Sequence, residues 1–149
     1  MTVYISSRME VPNFGGKGIT NIVGIEDPNT PKLEALWISS QVQYNRILFY
    51  DTSTGPTVEH IRDLIRLYSH ISPQNILFHC AYGANRSPAA AYIFLCAKGL
   101  QPVEAIKIVT AARPGWVGNA TMIKLASNEL RDKEIFKVWE ERFAGKPKW

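Results

Sequence analysis

The sequence predicts a single α/β domain over residues 1–149, with a central, mostly parallel sheet of four or five strands and helices on both faces. Short apolar runs alternate along the chain with longer segments whose apolar residues recur at helical spacing, a pattern typical of parallel sheets. The length of 149 residues is enough for one domain with a substantial core. No repeat, low-complexity tract or linker composition divides it.

Four apolar runs are the predicted strands, and each is bounded by turn-forming or polar residues. Their bounds are Val3–Ser6, Ile19–Ile25, Arg46–Tyr50 and Asn75–His79. In segment 31–45, Leu33, Leu36 and Trp37 have helical spacing, which favours a short helix before the third strand.

The remaining helices are predicted from apolar residues that recur every three or four positions. Their bounds are 57–70, 87–98, 102–112, 120–131 and 133–143, the last two forming one or two helices. Pro102 suits a first helical turn, and Val103, Ile106 and Val109 are expected to form the buried stripe of that helix. The tail Ala144–Trp149 is expected to be frayed.

Composition limits the function classes. The net charge of +4 suits an anionic ligand, but there is no dense Lys/Arg stripe, so we expect no nucleic-acid partner. The longest apolar run, Ala89–Ala97, is too short to span a bilayer, and residues 1–25 hold no apolar signal core, so we expect no membrane association. The two cysteines, Cys80 and Cys96, do not suggest a disulfide framework, and the expected location is the cytoplasm.

The segment Ile76–Ser87 carries the strongest functional signal. An apolar strand ends in His79 and Cys80, and Arg86 and Ser87 follow at the predicted start of a helix. A short loop between a strand and a helix can turn its backbone N–H groups inward, and the helix N-terminus adds positive potential. The spacing therefore predicts a cup for a phosphate dianion, with a sulfur atom at its base.

Cys80 could be a buried, inert thiol, which is what most free cysteines are. Its neighbours favour a nucleophile, because the loop N–H groups, the helix N-terminus and Arg86 would all stabilise a thiolate. Cations are disfavoured at a helix N-terminus, so Arg86 is expected there to hold an anion with its planar fork. The residues predicted to bind the anion are Ala81, Tyr82, Gly83, Ala84, Asn85 and Arg86.

Two neighbours of the cysteine have supporting parts in this interpretation. Ser87 could cap the helix or donate a hydrogen bond to the sulfur of Cys80, which would ease the departure of the sulfur from a covalent intermediate. His79 is expected to brace the loop by hydrogen bonding to backbone.

A leaving group must be protonated, and Asp51 is the predicted general acid. It follows the third strand, so it should reach the same sheet edge as Cys80, although a simple turn aspartate is the alternative. Asp27 also follows a strand but lies much earlier in the chain, and Asp63 lies inside a predicted helix, so both rank lower. No cluster of ligand-type residues suggests a metal, and no cofactor is expected.

The residues His79-Cys80-Ala81-Tyr82-Gly83-Ala84-Asn85-Arg86-Ser87 resemble the His-Cys-x-x-Gly-x-x-Arg-Ser signature of the cysteine-dependent protein tyrosine phosphatase superfamily. The layout is most similar to the dual-specificity branch and to small bacterial and bacteriophage phosphatase-like proteins. Asp51 precedes Cys80 by 29 residues, close to the position of the general acid in that branch. Asn119 resembles part of a later Pro-Asn element, with Gly118 in place of the proline. The resemblance covers roughly residues 45–130.

The resemblance implies a phosphomonoester hydrolase that forms a phosphocysteine and acts on phosphorylated protein, most often phosphotyrosine. A non-catalytic phosphate-binding adaptor is the main alternative, although binding alone needs no acid such as Asp51. A sulfurtransferase or arsenate reductase is a third interpretation, but sulfurtransferase loops are commonly shorter and arsenate reduction would need further cysteines.

Overall fold

Parallel strands form the centre of the computed structural model, which describes residues 1–70 and 74–142. Within those residues there are four strands, one 3-10 helix and five α-helices. Their bounds are β1 Thr2–Ser7, the 3-10 helix Val11–Phe14, β2 Asn21–Glu26, β3 Gln43–Leu48, α1 Val58–His70, β4 Asn75–Cys80, α2 Arg86–Ala97, α3 Pro102–Ala112, α4 Ala120–Glu129 and α5 Lys133–Arg142.

The strand order is β1-β4-β2-β3, and every pairing is parallel. The inner strands β4 and β2 are almost entirely buried, which explains why their sequences read as continuous apolar runs. Because all four strands run the same way, their carboxyl ends meet at one sheet edge, where open α/β sheets place their sites. The predicted α/β class and parallel sheet are confirmed, with four strands in the described residues.

One face of the sheet is covered by α-helices. Buried residues from α1 to α5 share a single apolar cluster with Ile25, Ile76 and Phe78 of the sheet. Helix α2 lies deepest, and its residues from Arg86 to Leu95 are all buried because the sheet and other helices surround it. Among the described residues, no helix is both long enough and apolar enough to cross a membrane.

The opposite face is covered without an α-helix. The 3-10 helix and segment 31–42 pack there around Ile22 and Leu77, and the indole N–H of Trp37 donates to the carbonyl of Val11 over 3.1 Å. The predicted helix within 31–45 is therefore wrong. The sequence also predicts helices on both faces of the sheet, whereas the α-helices of the described residues cover one face only. The helical spacing depended on Leu36, which is fully exposed, so that spacing does not describe a buried stripe.

Other boundaries differ in small ways. Strand β3 begins at Gln43 rather than Arg46, because pairing with β2 extends into polar residues that a hydrophobic pattern does not reveal at a sheet edge. Val103 is 49% exposed, and Ala105 with Val109 forms the buried side of α3 instead. The last two helices are separate, as α4 and α5. The tail predicted to fray lies outside the described residues.

Candidate active site

The loop of residues 80–86, here the cysteine loop, joins the end of β4 to the start of α2. Gly83 has a positive φ of +74°, and a Cβ atom there would lie 2.8 Å from the backbone of Ser6 and Ser7, so only glycine fits. The backbone N–H groups of Val117 and Gly118 donate to the carbonyl of Ala84 over 3.0 and 3.2 Å. These contacts fix the loop against β1 and against the turn before α4.

Cys80 lies at the base of the cysteine loop and is 3% exposed. Its Sγ accepts a hydrogen bond from the backbone N–H of Gly83 over 3.2 Å. The Oγ of Ser87 is also 3.2 Å from Sγ, and Ser87 lies inside the first turn of α2 and is fully buried. Asn85 rather than Ser87 is the N-cap residue of α2. The hydroxyl of Ser87 contacts the sulfur of Cys80 instead.

The guanidinium of Arg86 is buried beneath the loop, with the residue 3% exposed. Its Nη1 donates to the carbonyl of Phe49 over 2.6 Å and to Oδ1 of Asp27 over 2.8 Å. Its Nε is buried and has no hydrogen-bond partner among residues 1–70 and 74–142. A buried N–H without a partner costs about 1–3 kcal/mol, so this donor is available to a ligand.

Sequence reasoning weighed Asp27 only as a general acid and missed its contact with Arg86. Asp27 follows β2 directly, and β2 neighbours β4 in the sheet, which places its carboxylate against Arg86. Its position after a fully buried strand was the available signal, but strand order cannot be read from the sequence. Chain separation from Cys80 is a poor guide to distance in a parallel sheet.

Asp51 lies on the exposed loop of residues 51–56, which follows β3. The side-chain amide of Asn85 donates to Oδ2 of Asp51 over 3.0 Å, and that of Asn119 donates to Oδ1 over 2.9 Å. Asn119 also caps α4, because its Oδ1 accepts the backbone N–H of Met122. Asn85 thus holds Asp51 to the cysteine loop, and Asn119 holds it to the start of α4.

An open cavity of about 220 Å³ lies beside Asp51. Its walls come from the 51–56 loop, from the cysteine loop and from the first turn of α4. The residues that line it are Asp51, Thr52, Ser53, Asn85, Gly118, Asn119, Ala120 and Thr121. A molecule in this cavity would contact the carboxylate of Asp51 and the loop that carries Cys80.

Tyr82 and Ala81 are the exposed positions of the cysteine loop. Tyr82 is 84% exposed, and its carbonyl accepts a hydrogen bond from Nη2 of Arg113 over 3.1 Å. Ala81 is exposed as well, whereas Ala84 and Asn85 are half-buried.

His79 does not brace the loop as expected. Its ring lies on the opposite face of the sheet, where Nε2 is 2.5 Å from the hydroxyl of Tyr44. Nδ1 has no hydrogen-bond partner in the described residues. Successive residues of a strand face opposite sides, so His79 cannot share the side of Cys80. Burial lowers the pKa of His79 to about 4, against an opposing effect of Glu26, so the ring is neutral near pH 7.

No protein-family model and no curated protein sequence matches the chain. Human DUSP28 superposes with a TM-score of 0.67 at 16% identity, covering 94% of each chain. DUSP15 gives a TM-score of 0.62 at 21% identity, covering 95% of this chain and 92% of that one.

The chain has the fold of the dual-specificity phosphatases. A third similar structure is a human tyrosine phosphatase-like serine/threonine/tyrosine-interacting protein, with a TM-score of 0.61 at 17% identity and 85% coverage of both chains. At these identities the likeness concerns the fold. The chemistry must therefore be argued from the residues of this chain.

Proposed function

We propose that this protein is a cysteine-dependent phosphomonoesterase that acts on phosphorylated protein, with phosphotyrosine as the leading substrate. The observation that carries the proposal is the arrangement around Cys80. The Sγ atom accepts a hydrogen bond from a backbone N–H at the end of β4, next to the N-terminus of α2. The Nε of Arg86, in the same loop, has no hydrogen-bond partner in the described part of the chain. Such a site stabilises both a thiolate and the oxygens of a phosphate.

In the proposed reaction, the Cys80 thiolate attacks phosphorus and forms an S–P bond as the bond to the leaving oxygen breaks. Asp51 gives its proton to that oxygen. Water then attacks the phosphocysteine, Asp51 takes a proton from it, and the S–P bond breaks to release phosphate and the thiolate. Ser87, 3.2 Å from Sγ, stabilises the departing sulfur. Arg86 and the loop N–H groups hold the phosphoryl oxygens throughout.

A non-catalytic adaptor is the second candidate. It is favoured by the likeness to a protein described as a tyrosine phosphatase-like interacting protein, since that fold serves more than one purpose. Against it stands Asp51, whose carboxylate is held by Asn85 and Asn119 beside an open cavity. Phosphate recognition gains nothing from a carboxylate there, whereas protonation of a leaving group needs one.

A redox function is disfavoured by Cys96. This thiol lies near the C-terminal end of α2, half-buried, and burial raises its pKa to about 12. A protonated thiol is a poor nucleophile, so Cys96 is unsuited to resolve an intermediate on Cys80. Arsenate reduction would require such a second thiol.

The deciding experiment is hydrolysis of p-nitrophenyl phosphate by Cys80→Ser, with Cys96→Ser as the matched control. We expect Cys80→Ser to lose more than about 10³-fold in kcat, and Cys96→Ser to retain the wild-type rate. Thermal unfolding should show both variants folded. Full turnover in Cys80→Ser would exclude the mechanism, and a folded wild-type protein without turnover on phosphopeptides or p-nitrophenyl phosphate would favour the adaptor.

A further inference from the structure

We propose that Asp27 is a positioning residue whose carboxylate orients the guanidinium of Arg86, so that the edge formed by Nε and Nη2 faces an oxyanion in the cysteine loop. Its effect on turnover rests on the proposed function, whereas its effect on anion binding does not.

The argument begins with how Arg86 is held. Its Nη1 has two acceptors, the carbonyl of Phe49 at 2.6 Å and the carboxylate of Asp27 at 2.8 Å. Phe49 follows β3 and Asp27 follows β2, so the acceptors reach Nη1 from two neighbouring strands. Both contacts use the same nitrogen, which leaves the opposite edge of the planar fork for a ligand. Nε on that edge is buried and unpartnered among the described residues.

Asp27 is itself held in place. The preceding residue, Glu26, is 2% exposed and binds the guanidinium groups of both Arg8 and Arg46. The same two arginines extend to the loop of residues 27–31: Arg8 donates to the carbonyl of Pro31 over 2.8 Å, and Arg46 donates to that of Thr30. The loop is thus held at both ends by an ion cluster centred on the buried carboxylate of Glu26. A carboxylate on it can fix the orientation of another side chain.

Asp27 also repels an anion bound at Arg86, so its two effects oppose each other. The side chain of Asp27 is 48% exposed, and solvent weakens its long-range repulsion of a bound phosphate. Its hydrogen bond to Nη1 is short-range and directional, and solvent weakens it less. Orientation therefore outweighs repulsion in this proposal.

The test uses the full chain with three variants, Asp27→Ala, Asp27→Asn and the control Asp63→Ala. Asp63 forms a comparable carboxylate–arginine pair with Arg66, but on the exposed surface of α1. Binding of tungstate is measured by calorimetry, and kcat and KM are measured with p-nitrophenyl phosphate. We expect Asp27→Ala to bind tungstate about tenfold more weakly and to lose about tenfold in kcat, with a smaller change in KM.

Asp27→Asn retains an acceptor oxygen for Nη1, so we expect it to remain within about threefold of the wild type in both measurements. Asp63→Ala should be unchanged. If Asp27→Ala does not fold, Asp27→Ser serves as the truncation, because its hydroxyl is too short to reach Nη1. Unchanged or tighter tungstate binding in the truncated variant would overturn the proposal, as would equal losses in Asp27→Asn and in the truncation. Weaker tungstate binding in a protein without turnover would support the positioning role while the proposed function fails.

Discussion

Two loops reach the cysteine loop from neighbouring strands, and each brings an aspartate. The 27–31 loop follows β2 and is held by Arg8 and Arg46, which pair with the buried Glu26 on the face without α-helices. The 51–56 loop follows β3, lies exposed, and is fastened by side-chain amides from the cysteine loop and from the start of α4. Similar positions in the fold therefore give two carboxylates with different anchors.

Because their surroundings differ, the two carboxylates are suited to different roles. Asp27 contacts a guanidinium that is already buried, so it is placed to orient a binding group. Asp51 borders an open cavity of about 220 Å³, so it can meet the part of a substrate that leaves. A carboxylate must reach the reacting oxygen to exchange a proton with it. For that reason Asp51, rather than Asp27, is the general acid in the proposed reaction.

The largest effect on kcat is expected from removing the proposed general acid, Asp51. Asp51→Asn should lower kcat by about 10²–10³-fold, within the range typical of general acids. The loss should be greater with phenyl phosphate than with p-nitrophenyl phosphate, because nitrophenolate leaves without much help from a proton.

Asp27→Asn is the matched control for that experiment, since it removes the other carboxylate charge at the same sheet edge. Its kcat should remain near the wild-type value with both substrates. Equal kcat losses in Asp51→Asn and Asp27→Asn would show that the two aspartates do not differ in role.

The second effect is on the free energy of unfolding, and it comes from His79, beside the Glu26 that anchors the 27–31 loop. His79 lies in the same buried region as Glu26, and burial lowers its pKa from 6.5 to about 4. The unfolded chain then binds a proton at His79 that the folded chain does not, so the free energy of unfolding rises with pH in this window. Between pH 5 and 6.5 the gain should be about 1.5 kcal/mol.

Urea unfolding at several pH values measures this dependence. His79→Asn should reduce the slope, whereas His70→Asn, an exposed change at the end of α1, should not. An unaltered slope in His79→Asn would mean that the ring is already free to take up a proton in the folded protein.

The smallest effects concern the anchors of the 51–56 loop. Asn85→Ala removes one amide from Asp51 and should lower kcat a few-fold, by about 1 kcal/mol or less, at unchanged stability. Asn119→Ala removes the other amide and the cap of α4, so it should also lower the free energy of unfolding by about 1 kcal/mol. Asn128→Ala, on an exposed face of α4, is the control. Equal stability in Asn85→Ala and Asn119→Ala would contradict the separate capping role.

Local chemistry determined much of this protein from the sequence. The apolar runs of β2 and β4 predicted these two strands, because buried central strands need apolar residues on both faces. The spacing from Cys80 to Arg86 predicted a loop between a strand and a helix, and Gly83 occupies a position where a Cβ atom would meet the backbone of β1. Both signals depend on residues that are close along the chain.

Only the tertiary structure decided the rest. The strand order β1-β4-β2-β3 places Asp27 on Arg86 across 59 residues of chain, and no local pattern records which strands are neighbours. In the same sheet, His79 contacts Tyr44 rather than the backbone of the cysteine loop. Segment 31–42 covers one face of the sheet without forming an α-helix. Local patterns follow from backbone geometry, whereas these contacts follow from how separate elements pack around a common core.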